Sequence, residues 1–126
     1  MIKKEGPGWR IIRDSSRENF STLIGGECWA IELNQYEWET LVKVVIDLSN
    51  QYKEIKDQLM GDEDITLELE RSPWLAILSG DQYGWSLKMI LDGSLSSNRG
   101  AELFWPRNVT VDVTNAMRTM WDSDYL

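Results

Sequence analysis

Short segments in the first third of the chain alternate apolar and polar residues, which is typical of β-strands with one buried face. Segments of this kind occupy residues 9–13, 20–24 and 28–33. Gly25-Gly26 separates the second segment from the third, and a glycine pair at such a position favours a hairpin. The pattern therefore predicts three strands before the first helix.

The strongest pattern in the sequence is an apolar stripe with spacings of three and four residues, which is typical of one face of a helix. Its members are Trp38, Leu41, Val45, Leu48, Tyr52, Ile55 and Leu59. Asn34 and Glu37 have the spacing of a capping box and Gly61 suits a helix end, so we predict a helix over residues 35–60. The favoured interpretation is a helix laid across a sheet, although the same stripe also fits a seam between two helices.

The second half of the chain repeats the order of strands followed by a helix. Apolar patterning predicts strands at residues 65–70, 74–78, 85–91 and 101–105 and a helix over residues 108–121. Residues 74–78 are apolar at every position, which predicts a central strand, and residues 94–100 predict a flexible loop. The whole chain, residues 1–126, is therefore predicted to be one α+β domain. Its antiparallel strand meanders are each followed by a helix, roughly βββα-ββββα.

Composition and charge narrow the classes of function. The chain has 126 residues, a net charge of −8 and one cysteine, Cys28, so an internal disulfide is impossible. Its start lacks the apolar segment of a signal peptide, and no apolar run has the roughly 20 residues of a membrane span. We therefore expect a cytoplasmic protein with no membrane partner. So acidic a chain repels phosphates on average, and nucleic-acid binding would need a local basic stripe, best sought in the N-terminal strand.

The absence of histidine removes the commonest general base and the commonest metal ligand. Cys28 lies in an apolar alternation and is expected to be a buried packing residue, and no phosphate-binding glycine loop occurs. The acidic cluster at residues 62–64 is interpreted as a solvated turn. We therefore predict no catalytic residue, no metal site and no cofactor. A carboxylate-dependent enzyme acting on a small molecule is a weaker alternative.

Tryptophans beside basic residues are the pattern that most favours a function, because aromatic rings stack on bases while arginine and lysine contact phosphates. Seven tryptophans are many for one small core, so we expect one or two to face a groove or a partner. The alternative interpretation is that each Trp is a core residue with solvated charges beside it. The candidate binding residues are Trp9, Arg10, Arg13, Arg17, Trp85, Lys88, Arg99 and Arg107.

Several short motifs, in their order and spacing, carry a resemblance to a known family. They are Gly8-Trp9-Arg10, residues 28–33 with Glu37-Trp38, residues 70–74, Trp85-Ser86-Leu87, and Arg99-Gly100 with Trp105-Pro106. They resemble a family of small uncharacterised cyanobacterial proteins. The fold of that family is similar to the single-stranded-DNA-binding transcription-regulator superfamily that includes the plant Whirly proteins. The resemblance implies a Whirly-like fold but transfers no DNA-contacting residue, since the Lys-Gly-Lys-Ala-Ala-Leu motif of Whirly proteins is absent.

Two hypotheses of function follow from these patterns. The leading one is a non-enzymatic binding module in the cytoplasm of a cyanobacterium, whose ligand is single-stranded nucleic acid or a protein. The second is an acidic protein-interaction or assembly subunit, which the net charge and the helical stripe favour. In either case we expect a monomer or a homodimer. Exposed Trp beside arginine in a groove would favour nucleic acid, whereas buried rings under an acidic surface would favour a protein partner.

Overall fold

The computed structural model of the chain describes residues 1–94 and 98–125, with side chains described as far as Asp122. Two four-stranded antiparallel sheets are present, each a meander whose strands lie in sequence order. Sheet A consists of β1 (Ile2–Gly6), β2 (Trp9–Arg13), β3 (Thr22–Gly26) and β4 (Ala30–Leu33). Sheet B consists of β5 (Ile65–Arg71), β6 (Trp74–Asp81), β7 (Gly84–Leu91) and β8 (Ala101–Trp105). Helix α1 (Gln35–Ile55) follows sheet A and helix α2 (Thr110–Tyr125) follows sheet B.

The predicted α+β order is confirmed, with one strand more than expected. The additional strand, β1, pairs with β2 across the two-residue turn Pro7-Gly8. Gly8 has a φ of 81°, which suits glycine at the third position of a type II turn. β1 gives no apolar alternation because three charged residues follow Ile2 in succession. Of the predicted loop at residues 94–100, residues 95–97 lie outside the described part of the chain.

The inner face of each sheet has a buried apolar centre. In sheet A the strand register aligns Ile11 with Ile24, and both are fully buried. In sheet B the register aligns Leu78 with Leu87 and Trp105, which are buried as well. Because side chains alternate across a strand, the intervening residues of every strand point to the opposite, outer face.

Helix α1 begins as the sequence predicts. The Asn34 Oδ1 atom accepts the Glu37 N–H at 2.8 Å, and Glu37 Oε1 accepts the Asn34 N–H at 2.9 Å, which completes the capping box. The α-helix ends at Ile55, and the chain tightens into a short 3-10 turn, Lys56–Gln58, so the predicted end at residue 60 was wrong. α1 packs against β5 and β6 of sheet B and also against α2, so both interpretations of its apolar stripe apply.

Tryptophan side chains hold the two halves together. The fully buried Trp105 of β8 donates its indole N–H to the Gly25 carbonyl oxygen of β3 at 3.1 Å. Trp29 donates to the Phe104 carbonyl oxygen at 3.0 Å, and its ring centroid lies 5.5 Å from that of Trp105. On the other side, α2 contacts β2 of sheet A and β7 of sheet B. The inner faces and helices therefore share one core, and the outer faces of the sheets remain open.

Candidate functional site

The outer face of sheet B carries an unusual set of apolar side chains. Leu75 and Ile77 of β6, Ile90 of β7 and Phe104 of β8 all point to this face. The first three are half-buried, and Phe104 is 48% exposed. An antiparallel sheet with one solvated face normally shows polar residues at such positions. We refer to these four side chains as the apolar patch.

Carboxylates flank the apolar patch at both edges of the sheet. Glu70 and Glu68 of β5 lie directly opposite Leu75 and Ile77, and Glu102 of β8 lies opposite Ile90. Lys88 is the basic residue between Ile77 and Phe104, and its Nζ lies 3.2 Å from Glu102 Oε1. We refer to Glu68, Glu70 and Glu102 as the acidic rim. All three residues are exposed, so the face as a whole is apolar at its centre and negative around it.

The outer face of sheet A is smaller in apolar area and mixed in charge. Its apolar side chains are Ile12 and Leu23, which are cross-strand neighbours. Lys3 and Glu32 lie at the two ends of the same row. In the next row, exposed Arg10 lies opposite Gly25, over which its side chain extends. Arg10 has no ion-pair or hydrogen-bond partner among the described residues.

Three of the predicted phosphate contacts form ion pairs instead. Both guanidinium NH2 groups of Arg17 lie 3.3 Å from the Glu32 carboxylate oxygens, and Lys88 pairs with Glu102. Arg107 pairs with Asp81 and donates to the Gly84 carbonyl oxygen at 3.0 Å. The hydrogen bond from Arg107, together with one from the Tyr83 backbone, lowers the pKa of the Asp81 carboxyl. Each positive charge is thereby matched by a carboxylate of the same surface.

Arg99 and Arg13 hold the fold together. The Arg99 guanidinium pairs with the Glu37 carboxylate, whose side chain is only 1% exposed, and donates to the Glu32 carbonyl oxygen at 2.7 Å. It also lies 4.5 Å from the centroid of the Phe20 ring. Arg13 donates to Gln35 Oε1 at 2.7 Å and lies 5.3 Å from the Trp38 ring centroid. Both arginines therefore fix loops and strands against the start of α1.

The two predicted stacking residues are placed differently. Trp85 is 3% exposed, on the inner face of β7, and its ring packs 6.0 Å from that of Tyr52, so the expectation of a surface stacking ring was wrong. Tyr52 donates its hydroxyl to the Asp81 carbonyl oxygen at 2.7 Å, and burial raises the pKa of that hydroxyl. Trp9 is half-buried and packs against the core edge. Trp9 therefore keeps part of its ring accessible.

A groove of about 580 Å³ lies between the tips of the β1–β2 and β3–β4 hairpins. Its lining includes Trp9, Arg10, Glu27, Cys28 and Trp29. Cys28 is exposed in the β3–β4 connection, so the expectation of a buried packing cysteine was wrong. The strand predicted at residues 28–33 begins only at Ala30, which leaves the cysteine outside the pleated alternation that would have buried it.

Among the side chains of residues 1–94 and 98–122, no group of three or more His, Cys, Asp or Glu is arranged to hold a metal ion. The helices in this part of the chain lack the length and apolar character that crossing a membrane requires.

Sequence reasoning did not single out the apolar patch, although its signal was present. Residues 74–78 are apolar at successive positions, so a strand formed by them must present apolar side chains on both faces. The central position of β6 is confirmed. The structure adds that both helices pack on the inner faces, so no layer of the described chain covers the second face of β6. The sequence pattern does not show on which face a helix packs.

The fold defines an α+β class in which two antiparallel four-stranded meanders are each followed by a helix. Within that class the chain belongs to the DUF1818 family, a domain of unknown function, whose model matches residues 4–120. It is similar to a crystal structure at 1.80 Å of a protein with unknown function from the DUF155 family from Prochlorococcus sp. NATL2A. The two chains are 73% identical with a TM-score of 0.93, over 96% of this chain and 99% of the other. A search of curated proteins gives no match.

Proposed function

We propose that this chain is a non-enzymatic protein-binding module that binds its partner through the outer face of sheet B. The observation that carries the proposal is the apolar patch: four apolar side chains at positions where a solvated sheet face normally carries polar ones. Contiguous exposed apolar surface with a polar rim is a common mark of a protein interface. Phe104, the most exposed member at 48%, supplies an aromatic ring, a side-chain type that is enriched at the core of protein interfaces.

The state of the basic residues supports a protein partner over a nucleic acid. Arg17, Lys88 and Arg107 are paired with carboxylates, and phosphate binding would have to compete with those pairs. Trp85 and three further rings, those of Trp38, Trp74 and Trp105, are buried. The burial of these four rings under an acidic surface favours the protein hypothesis, whereas Trp9, Trp29 and Trp121 are half-buried.

Affinity capture from a cyanobacterial lysate with three forms of the full chain tests the proposal. The forms are the native chain, the double variant Leu75→Ser/Ile77→Ser in the patch, and the matched double variant Ile12→Ser/Leu23→Ser on sheet A. We expect a protein retained by the native chain and by the sheet A variant but lost with the patch variant. Circular dichroism establishes that all three forms are folded. Equal retention by all three folded forms would contradict the proposal.

A second candidate function, binding of single-stranded nucleic acid, rests on Arg10. Its guanidinium is unpaired among the described residues and lines the groove that also contains Trp9 and Trp29. The resemblance of the sequence motifs to a Whirly-related family adds to this candidate, whereas Glu5 and Glu27 in the same groove oppose it. Titration with single-stranded oligonucleotides at low salt should quench Trp fluorescence, and Arg10→Gln should reduce the effect. An unchanged signal for several sequences at low salt would exclude this candidate.

A further inference from the structure

The shape of the apolar patch restricts the kind of partner that fits it. Leu75 and Ile90 are direct cross-strand neighbours, whereas Ile77 and Phe104 are separated by Lys88 on the strand between them. With strands about 4.8 Å apart and a rise of about 3.4 Å per residue, the patch is roughly 10 Å across the strands and 7 Å along them. It crosses three strands, so it does not resemble an edge at which an extended peptide adds a further strand.

A surface of this width matches the side of one helix, whose diameter with side chains is about 10–12 Å. Sheet B already accepts a helix in this way on its inner face, where α1 packs against β5 and β6. A helix with a single apolar stripe would cover the outer patch while leaving its remaining sides in water. The arrangement would place the middle strand β6 between two helices.

Charge decides which helix is suitable. The acidic rim lies on both sides of the patch, and the neighbouring cation Lys88 is already paired with Glu102. Neither Glu68 nor Glu70 has an ion-pair partner in the described ranges. A second copy of this chain, packed face to face, would bring rim against rim and add like-charge repulsion to a net charge of −8. A helix with lysine or arginine beside its apolar stripe would neutralise the rim instead.

From these observations we infer that the partner presents an amphipathic helix with an apolar stripe flanked by basic residues. This inference rests on the proposed protein-binding function of the outer face of sheet B. The helix axis runs along the strands, over β6, β7 and β8, with the apolar stripe on the patch, so that the flanking cations face Glu68 and Glu70 on one side and Glu102 on the other.

Three synthetic peptides of about 18 residues test the inference by isothermal titration against the full chain. The first has a leucine stripe flanked by lysines, the second has glutamates in place of the lysines, and the third keeps the lysines but has serines in place of the leucines. We expect the first peptide to bind at least about tenfold more tightly than the other two, since it alone matches both surface properties. Its affinity should fall when salt is raised from about 50 to about 500 mM.

The chain variants locate the binding. Leu75→Ser/Ile77→Ser should abolish binding of the first peptide, Glu68→Gln/Glu70→Gln should weaken it and reduce its salt dependence, and Ile12→Ser/Leu23→Ser should leave it unchanged. Equal binding of the acidic peptide, or binding that survives the patch variant, would overturn the inference. A stable dimer in sedimentation equilibrium that the patch variant abolishes would overturn it too, by making the second copy the occupant. A patch-dependent lysate partner without a basic helix would overturn this inference alone and leave the protein-binding function standing.

Discussion

The outer faces of the two sheets share a layout and differ in charge. In sheet A one row across the strands reads Lys3, Ile12, Leu23 and Glu32. The corresponding row of sheet B reads Glu70, Leu75, Ile90 and Glu102. Both rows are apolar in the middle and charged at the ends. Sheet A ends in one cation and one anion, whereas sheet B ends in an anion at each side.

The neighbouring rows increase the difference. In sheet A, the middle of the next row is occupied by Arg10 and Gly25, so the surface there is polar and has no apolar side chain. In sheet B the row contains Ile77 and Phe104 on either side of Lys88, which extends the apolar area. The two inner faces, in contrast, both contribute buried apolar side chains to one core. Folding thus constrains the inner positions of both halves, and the outer positions of sheet B are available for a different requirement.

Trp105 is the residue on which the joining of the two sheets depends most. Its ring is fully buried, contacts Trp29 and donates to Gly25 of the other sheet. Trp105→Ala should lower the free energy of unfolding by about 3–5 kcal/mol, because it removes a large buried ring and leaves a cavity. Urea denaturation followed by circular dichroism measures this. A loss under about 1 kcal/mol would show that the ring does not join the halves.

Two adjacent residues of β8 lie on opposite faces of sheet B. Leu103 is 5% exposed on the inner face and Phe104 is 48% exposed on the outer one. Leu103→Ala should cost about 2–5 kcal/mol of unfolding free energy, and Phe104→Ala below about 1 kcal/mol. The Trp29 hydrogen bond is to the backbone oxygen of residue 104 and survives the second change. If Phe104→Ala proved as damaging as Leu103→Ala, the patch would be a part of the core and not a binding surface.

Two arginines with the same predicted role should respond differently to truncation. Arg99→Ala removes the cation that pairs with the buried Glu37 carboxylate, whereas Arg17→Ala breaks an exposed pair with Glu32. We expect a loss of roughly 2–3 kcal/mol for Arg99→Ala, reduced from the value for a fully buried pair because Arg99 is partly exposed. For Arg17→Ala we expect under about 0.5 kcal/mol. Thermal unfolding of the two variants compares them directly, and equal losses would contradict the structural role of Arg99.

The elements with long apolar periodicity could be predicted from the sequence, and those governed by distant partners could not. The start of α1 follows from Asn34 and Glu37, three residues apart, and the capping box is local chemistry. β1 escaped prediction because an edge strand with exposed charges needs no apolar alternation; only its pairing with β2 defines it. The exposure of Cys28 depends on where β4 begins, and strand ends are set by pairing and not by composition.

The binding residues were harder to predict, for a physical reason. Arg99 meets Glu37 across 62 residues and Arg107 meets Asp81 across 26, so no local pattern distinguishes them from free cations. Trp85, by contrast, could have been assigned to the core. It alternates with Leu87, Met89 and Leu91, and a strand places all four side chains on one face. Basic neighbours in the sequence therefore say little about a tryptophan unless strand alternation places them on the same face.

The smallest effect expected is a change in the pKa of Asp81, at the turn between β6 and β7. Asp14, in the connection between β2 and β3, serves for comparison. The pKa of Asp81 lies below its ordinary value of 3.8, chiefly because Arg107 donates to its carboxylate. A carboxyl with a lowered pKa stabilises the fold above that ordinary value, and the contribution is lost as the pH falls through the lowered pKa. Carbon-13 titration of Asp81 should therefore show its pKa rising towards 3.8 in Arg107→Gln, though not fully, since the Tyr83 N–H still donates at 2.8 Å.

Asp14 supplies the control on the sheet A side of this titration. Its pKa is also lowered, but chiefly by hydrogen bonds from the Ser16 hydroxyl and backbone N–H. Arg107→Gln should leave the Asp14 pKa where it is, and the stability difference between the native chain and the variant should shrink only below about pH 4. An Asp81 pKa unmoved by the substitution would mean that Arg107 is not held by the turn. It would then be a free cation, and the pairing of Arg107 with a carboxylate, which argues against a nucleic-acid partner, would be absent.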